Sequence, residues 1–194
     1  MGNDEQGRSR IEPAGRRVLS WTCAAILAVF SAGAAAAERE HGPHVHGVGL
    51  LNLAVEGNMV EIELISPGAD IVGFEHGAET QADREAVENA VTRLKAGAQL
   101  FVFPREAQCR LEEAEVESEL MGDERHEGEG EAHEEHAEFH ARYRFFCAEP
   151  GALTHVDVGF FRQFPAAREL EVQFIAARGQ GGQELTPAAA RLNL

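Results

Sequence analysis

The chain has 194 residues, of which 44% are hydrophobic, and this suits a domain with a packed core and excludes a wholly disordered protein. It carries 33 acidic and 17 basic residues, for a net charge of −16. Because the phosphates of nucleic acids attract basic surfaces, this charge argues against DNA or RNA as a partner. Nine histidines among so many carboxylates favour a metal cation instead.

Residues 1–37 are typical of an export signal. Four arginines precede an apolar run, VLSWTCAAILAVFSAG, and the small residues 34–37 offer a cleavage site. The apolar run is shorter than the ~20 residues that cross a membrane. We therefore expect cleavage near Ala37, which leaves an exported chain that does not itself span the membrane; a retained signal anchor is the alternative.

Cleavage would leave a chain with more net charge and fewer cysteines. The segment removes four Arg and three acidic residues, so 13 basic and 30 acidic residues remain. The two remaining cysteines, Cys109 and Cys147, predict one disulfide, because exported proteins fold in an oxidising compartment. A free buried pair of thiols is the alternative.

The mature chain begins with a short polar arm, residues 38–46, and continues into a predicted β-hairpin. Apolar residues alternate with polar or small ones over 51–55 and 60–64, and Gly57-Asn58 separates the two runs. A turn-rich connection follows over residues 66–79. This order predicts two antiparallel strands and then a loop.

A helix is predicted next, with Thr80 as its N-cap and Asp83 completing a capping box. Gly97 is expected to end it. The apolar residues at helical spacing are Val87, Ala90, Val91, Leu94 and Ala98. Residues 100–103 read as a short strand that Pro104 stops.

Two half-buried strands are predicted at 113–120 and 139–147, because apolar or small residues alternate with charged ones in both. An antiparallel register brings opposite charges together across the strands. Its pairs are Ala114 with Tyr143, Val116 with Ala141, Glu113 with Arg144, Glu115 with Arg142, and Glu117 with His140. The same register sets Cys147 opposite position 110, so the disulfide requires a β-bulge near Cys109.

Residues 121–138 form a loop rich in His, Glu and Gly between these strands. The loop has no apolar periodicity, so it is predicted to be flexible, and a loop of this length within a domain is usually functional. Further strands are expected near His155, over 170–174 and at the C-terminus, with a turn at 179–182. The fold class is α+β: an antiparallel sheet packed with one main helix, in a single domain over 38–194 with a long His/Glu-rich hairpin loop.

Eight of the nine histidines fall into three groups that could hold zinc, which takes about four nitrogen, oxygen or sulfur ligands. His41, His44 and His46 form the first group, His76 stands alone, and the third group is His126, His133, His136 and His140. Each group has an alternative: a frayed arm, a hydrogen-bonded histidine near a helix, and a merely solvated acidic tract. Imidazole also suits copper and nickel, so the histidines do not select the metal.

The motifs of common enzymes are absent from the sequence. HEEHAEFH lacks the H-E-x-x-H spacing of zinc proteases, and neither a G-x-S-x-G nor a P-loop is present. We therefore expect a protein that is not an enzyme. The alternative to a metal-binding protein is a secreted acidic protein-interaction module without a dedicated metal site.

The mature chain resembles the ZrgA-type periplasmic zinc-uptake proteins, a group long catalogued as a domain of unknown function. The matching pieces are HVHGVGLLNLAVEGN, IELISPGADIVGFEH, the Glu/His-rich loop, EFHARYRFFC and FFRQFP, in that order over residues 44–194. The resemblance implies a periplasmic zinc-binding protein that serves uptake through membrane transporter components.

We expect a core zinc site that draws on five histidines, not necessarily all at once. These are His44, His46, His76, His136 and His140. Three others are expected to capture additional zinc weakly and pass it inward: His41, His126 and His133.

Overall fold

Two β-sheets and four helices make up the part of the chain that the computed structural model describes, residues 46–121 and 137–194. The strands are β1 Val48–Glu56, β2 Met59–Pro67, β3 Phe101–Val102, β4 Cys109–Ser118, β5 Glu138–Cys147, β6 His155–Val158, β7 Glu169–Ala176, β8 Gly179–Leu185 and β9 Arg191–Asn193. The helices are α1 Gly68–Ile71, α2 Gln81–Lys95, α3 Gly97–Leu100 and α4 Phe160–Gln163. The larger sheet has the strand order β4-β5-β2-β1-β7-β8, and the smaller sheet has the order β3-β6-β9.

The predicted hairpin is confirmed as β1 and β2. Val55 pairs with Val60, and the turn falls at Gly57-Asn58, where Gly57 takes the left-handed φ of 57° that glycine adopts without strain. The residues that point to the core are Leu51, Leu53, Val60, Ile62 and Leu64. Their period of two therefore set both the strands and the buried face.

The predicted register of β4 and β5 is also confirmed, including the pairs of Ala114 with Tyr143 and Glu117 with His140. A bulge between Leu111 and Glu113 shifts the register by one residue, which brings Cys109 directly opposite Cys147. The two cysteines form the predicted disulfide, with their Cα atoms 3.9 Å apart.

The outer face of the larger sheet carries a ladder of charges. Two arginines of β5 each lie between a glutamate of β2 and a glutamate of β4. The shortest N–O distances are 3.6 Å for Arg144–Glu61, 2.7 Å for Arg144–Glu113, 3.8 Å for Arg142–Glu63 and 3.5 Å for Arg142–Glu117. These side chains are exposed, so each ion pair contributes only about 0–1 kcal/mol, and the face is a solvated one.

The inner face of the larger sheet is covered by α2 and the smaller sheet. The capping box of Thr80 and Asp83 begins α2 as predicted. The buried Tyr143 of β5 donates a hydrogen bond from its hydroxyl to the carbonyl of Leu94 in α2, at 2.9 Å, and burial raises the pKa of this phenol. The ring of Phe101 in β3 packs edge-on against Tyr143, with centroids 5.1 Å apart. The core lies between these layers.

Two predictions about the sheet are wrong in part. The main sheet is not wholly antiparallel, because β1 pairs with β7 in parallel. Residues 179–182 do not form a turn but belong to β8, and the turn falls at residues 177–178. Gly181 pairs with Phe174, and a Cβ at Gly181 would lie 3.0 Å from the Phe174 ring, so glycine here makes room for an aromatic side chain across the strands.

The main helix ends earlier than the apolar stripe suggested. It stops at Lys95, and Gly97 begins the short α3, which leaves Ala98 exposed. A Cβ at Gly97 would lie 2.6 Å from Cδ1 of Tyr143, so the chain passes close to the ring at this point. Contact with the sheet therefore decides where the helix turns.

Candidate metal centre

Several elements of the larger sheet start or stop at one end. There β1 begins, β2 ends, β5 begins, and α1 follows β2 directly. We call this region the histidine end and define it as residues 46–48, 67–76 and 137–140. The two described ranges, which begin at His46 and at Ala137, both start in this region.

His46 and Glu75 meet at the histidine end. The Nε2 atom of His46 lies 3.0 Å from Oε2 of Glu75, and the two residues are 29 positions apart in sequence. Both side chains reach solvent, with exposed fractions of 68% and 36%. Imidazole and carboxylate are both zinc ligands, and a carboxylate also often orients a ligating histidine.

The backbone next to His46 is held from two sides. The N–H of Gly47 donates to both carboxylate oxygens of Asp70 in α1, at 2.9 and 3.1 Å. The carbonyl of Gly47 accepts from the N–H groups of Arg168 and Glu169 at the start of β7, at 2.8 and 2.9 Å. His46 therefore presents an exposed ring on a fixed main chain.

Asp70 is one of the few polar side chains buried in the described chain, with an exposed fraction of 4%. Burial raises the pKa of its carboxyl group, because a desolvated carboxylate is less favourable, and the hydrogen bond from Gly47 opposes that shift. Glu75 adds to the rise by repulsion, whereas His46 and Arg168 lower the pKa. A positive charge near His46 and Glu75 would accordingly favour the ionised form of Asp70.

His76 follows Glu75 and stacks on Phe74, with ring centroids 4.7 Å apart and an angle of 15° between the planes. Its Nδ1 lies 2.9 Å from the carbonyl oxygen of Gly77. A carbonyl only accepts, so Nδ1 carries the proton and the neutral ring keeps a lone pair on Nε2. This tautomer suits a metal ligand through Nε2.

His140 lies on the outer face of β5, next to a second carboxylate. Its Nε2 is 3.2 Å from Oε2 of Glu138, two residues earlier on the same side of the strand. The hydrogen bond to Glu138 raises the pKa of His140, and burial opposes this shift. A proton therefore competes with a metal for this ring more strongly than for an ordinary imidazole.

Replacing Glu138 with Gln is expected to lower the pKa of His140 in the metal-free protein, because the amide removes both the charge and the strong acceptor. The measurement is an NMR titration of the imidazole protons of the wild-type and E138Q chains. E63Q is the matched control, since Glu63 also raises the pKa of His140 but makes the smaller contribution. An equal or larger shift in E63Q would show that the Glu138 hydrogen bond is not the main cause.

The structure places the candidate histidines in two arrangements. His46 is near Glu75, with His76 next in the chain, whereas His140 is near Glu138. β1 and β5 flank β2, so their backbones are roughly 10 Å apart. Zinc holds its ligand atoms at about 2.0–2.2 Å, so we treat the two arrangements as separate.

Five of the predicted zinc ligands lie outside the described residues, and nothing in the structure tests them. They are His41, His44, His126, His133 and His136. Within residues 46–121 and 137–194, no group of three or more His, Cys, Asp or Glu side chains has the arrangement of a metal site. The disulfide removes Cys109 and Cys147 as thiolate ligands.

The sequence predicted the histidines but not three carboxylates near them, Glu75, Glu138 and Asp70. The signal for Glu75 was its place before His76 at the end of IELISPGADIVGFEH, one of the pieces that resemble the ZrgA-type proteins. Asp70 stood in a turn-rich stretch where an acidic residue is ordinary, and only its contact with Gly47 marks it out.

The chain matches the family described as ZrgA family zinc uptake protein over residues 43–194. It belongs to this family. The match covers most of the chain and confirms the resemblance drawn from the sequence. It also reaches across the histidine end, from the residues before His46 to those after His140. No curated protein matches the chain.

The family name connects this protein with zinc uptake. Across the described ranges, no helix is both long enough and apolar enough to cross a membrane. Within the described residues, the histidine end brings together two side chains of zinc-ligand type from distant parts of the chain, His46 and Glu75.

Proposed function

We propose that this member of the ZrgA family is a periplasmic zinc-binding protein that captures zinc at the histidine end and serves its uptake. The observation that carries the proposal is the 3.0 Å contact between His46 and Glu75, two solvent-accessible side chains of zinc-ligand type that are 29 positions apart in sequence. The family name supports zinc as the metal.

The chemistry of the described residues suits a partly preformed site. Zinc takes about four ligands in protein sites, and His46 and Glu75 supply a nitrogen and an oxygen. The other positions are open to water, to His76, or to His44 and His136 as the sequence predicts. An open and exposed site also suits a carrier, because a carrier must release its zinc to the next component.

Charge supports the same role. The whole chain carries a net charge of −16. A negative surface attracts divalent cations and raises their local concentration. His126 and His133 would bind further zinc weakly in the acidic loop, and His41 would do so in the arm.

In this role the chain is exported and catalyses no reaction. Arginines followed by a short apolar run and small residues support an N-terminal signal that is cleaved near Ala37. The disulfide fits an oxidising compartment such as the periplasm. The absence from the sequence of a zinc-protease motif and of a serine nucleophile motif supports binding over catalysis. Membrane transporter components are the partners that zinc uptake calls for.

His46→Ala and Glu75→Gln are expected to weaken zinc binding by at least about 10-fold each, since each change removes a ligand or its charge. Isothermal titration calorimetry with zinc, on protein expressed from the full chain, measures this. His155→Ala is the matched control: His155 forms a similar pair with Asp157, at 3.9 Å, but lies on β6 of the smaller sheet. It should leave zinc affinity unchanged.

Two outcomes would contradict this proposal. Wild-type protein that binds zinc no more tightly than about 10 μM would remove the zinc function and favour the acidic interaction module. Tight binding that H46A and E75Q leave intact would place the site away from these side chains. Parallel titrations with copper and nickel compare the metals, because imidazole binds all three.

A further inference from the structure

We infer that Asp70 is the positioning residue for His46: its buried carboxylate holds the Gly47 peptide, and through it the zinc-binding ring, without itself binding the metal. This inference rests on the zinc site proposed above. It gives a role to a buried carboxylate in α1 that the ligand set does not use.

The carboxylate of Asp70 is directed at a single backbone group. Both oxygens of Asp70 accept the same N–H group, that of Gly47, at 2.9 and 3.1 Å. The side chain is 4% exposed, whereas the ring of His46 is 68% exposed. The carboxylate of Asp70 is buried against the peptide, whereas the ring of His46 can be reached from solvent. Asp70 therefore suits a structural role, and His46 suits metal binding.

The Gly47 peptide lies directly after the zinc-binding residue and is held from both sides. Gly47 is bonded to His46, and its carbonyl is fixed by Arg168 and Glu169. Its φ of 93° is a conformation that glycine adopts readily and other residues rarely do. A Cβ on Gly47 would also lie 3.3 Å from Cδ of Arg168. We call these contacts of the Gly47 peptide the clamp: Asp70 holds its N–H from α1, and the start of β7 holds its carbonyl. Only glycine fits the clamp without strain.

The charge of the Asp70 carboxylate is compensated by neighbouring groups. Burying an ionised carboxylate costs free energy unless hydrogen bonds or opposite charges compensate. The Gly47 N–H supplies part of that compensation, and His46 and Arg168 contribute favourable charge. Zinc bound at His46 and Glu75 would take the place of the proton on His46, so the carboxylate of Asp70 stays compensated in the zinc-bound state although it touches only the peptide.

The test combines single and double substitutions, with zinc affinity measured by calorimetry. Asp70→Ala removes the acceptor and is expected to weaken zinc binding about 10-fold or more, as loss of a group that orients a ligand does. Asp70→Asn keeps one acceptor oxygen and should stay within about 3-fold of wild type. In the His46→Ala background, D70A should have no further effect, because the ring it positions is gone.

Gly47→Ala provides a second route to the same result if D70A fails to fold, as judged by circular dichroism without zinc. It strains the clamp without altering either side chain, so it should also weaken zinc binding about 10-fold. A D70N affinity as low as that of D70A, or a D70A effect that persists in the H46A background, would overturn the positioning role.

Failure of this inference can be told apart from failure of the proposed function. If H46A weakens zinc binding while D70A and G47A do not, the site stands and the positioning role falls. If H46A itself has no effect, the proposed zinc site fails, and the role of Asp70 fails with it.

Discussion

Zinc affinity is expected to fall roughly 20-fold per histidine ligand between pH 7 and pH 5. Zinc binds the neutral imidazole, whose ordinary pKa is about 6.5, so protons displace the metal over this range. A glutamate ligand, with an ordinary pKa near 4.3, stays largely ionised at pH 5 and contributes little. The steepness of the fall therefore reports the number of histidine ligands.

Calorimetric titrations with zinc at several pH values measure this slope. The H46A protein should show a shallower slope than wild type, since it has one histidine ligand fewer. Burial raises the pKa of Asp70, so its protonation is a second source of pH dependence. D70N removes that group, so any part of the wild-type slope that D70N loses comes from Asp70, and the slope that remains reports the histidine ligands. Zinc affinity that is equal at pH 7 and pH 5 would indicate carboxylate ligands and contradict a histidine site.

Replacing both Cys109 and Cys147 with Ser is expected to lower the free energy of unfolding by about 3–4 kcal/mol. The disulfide joins residues 38 positions apart, so it restricts the unfolded chain over a long loop. Unfolding in urea, followed by circular dichroism, gives the free energy of each protein. Wild-type protein treated with a reductant is the matched comparison and should unfold like the double variant.

The same double variant should keep its zinc affinity within about 3-fold. Cys109 and Cys147 pair at the end of β5 opposite to its start, so they lie away from His140 and the histidine end. A loss of stability below about 1 kcal/mol would show that the disulfide adds little to the packed core. A large loss of zinc affinity would show that the two ends of the sheet are coupled.

The strand pairs that the sequence predicted correctly share a physical feature: each has one buried face. In β4 and β5, a shift of one residue would turn Val116 and Tyr143 away from the core and break the cross-strand charge pairs. One register therefore both buries these two side chains and brings the opposite charges together. The two cysteines then required a bulge, and the structure has one between Leu111 and Glu113.

Other features of the fold could not be predicted from local patterns. The parallel pairing of β1 with β7 joins segments more than 100 residues apart, and periodicity carries no information about such a partner. The early end of α2 depends on the Tyr143 ring beside Gly97. Residues 179–182 resemble a turn because three of them are glycines, but in β8 Gly181 makes room for Phe174, a neighbour that only the sheet supplies.

The candidate site divides in the same way. The sequence predicted histidine ligands, because imidazoles beside many carboxylates are typical of zinc capture, and it named His46, His76 and His140. It did not show that His46 would meet Glu75 or that His140 would meet Glu138 instead of the other histidines. Which ligand types are present is a matter of composition, but which of them share a site depends on how the strands are ordered.

By itself, the sequence determined the acidic charge, the hairpin, the register of β4 with β5 and the disulfide, because each follows from composition or from neighbouring residues whose side chains alternate between two faces. The tertiary structure alone decided that the start of β1, the end of β2 and the loop before α2 would meet. That meeting places Glu75 on His46 and Asp70 on Gly47. Contacts between segments so far apart depend on packing of the whole core, which no local pattern encodes.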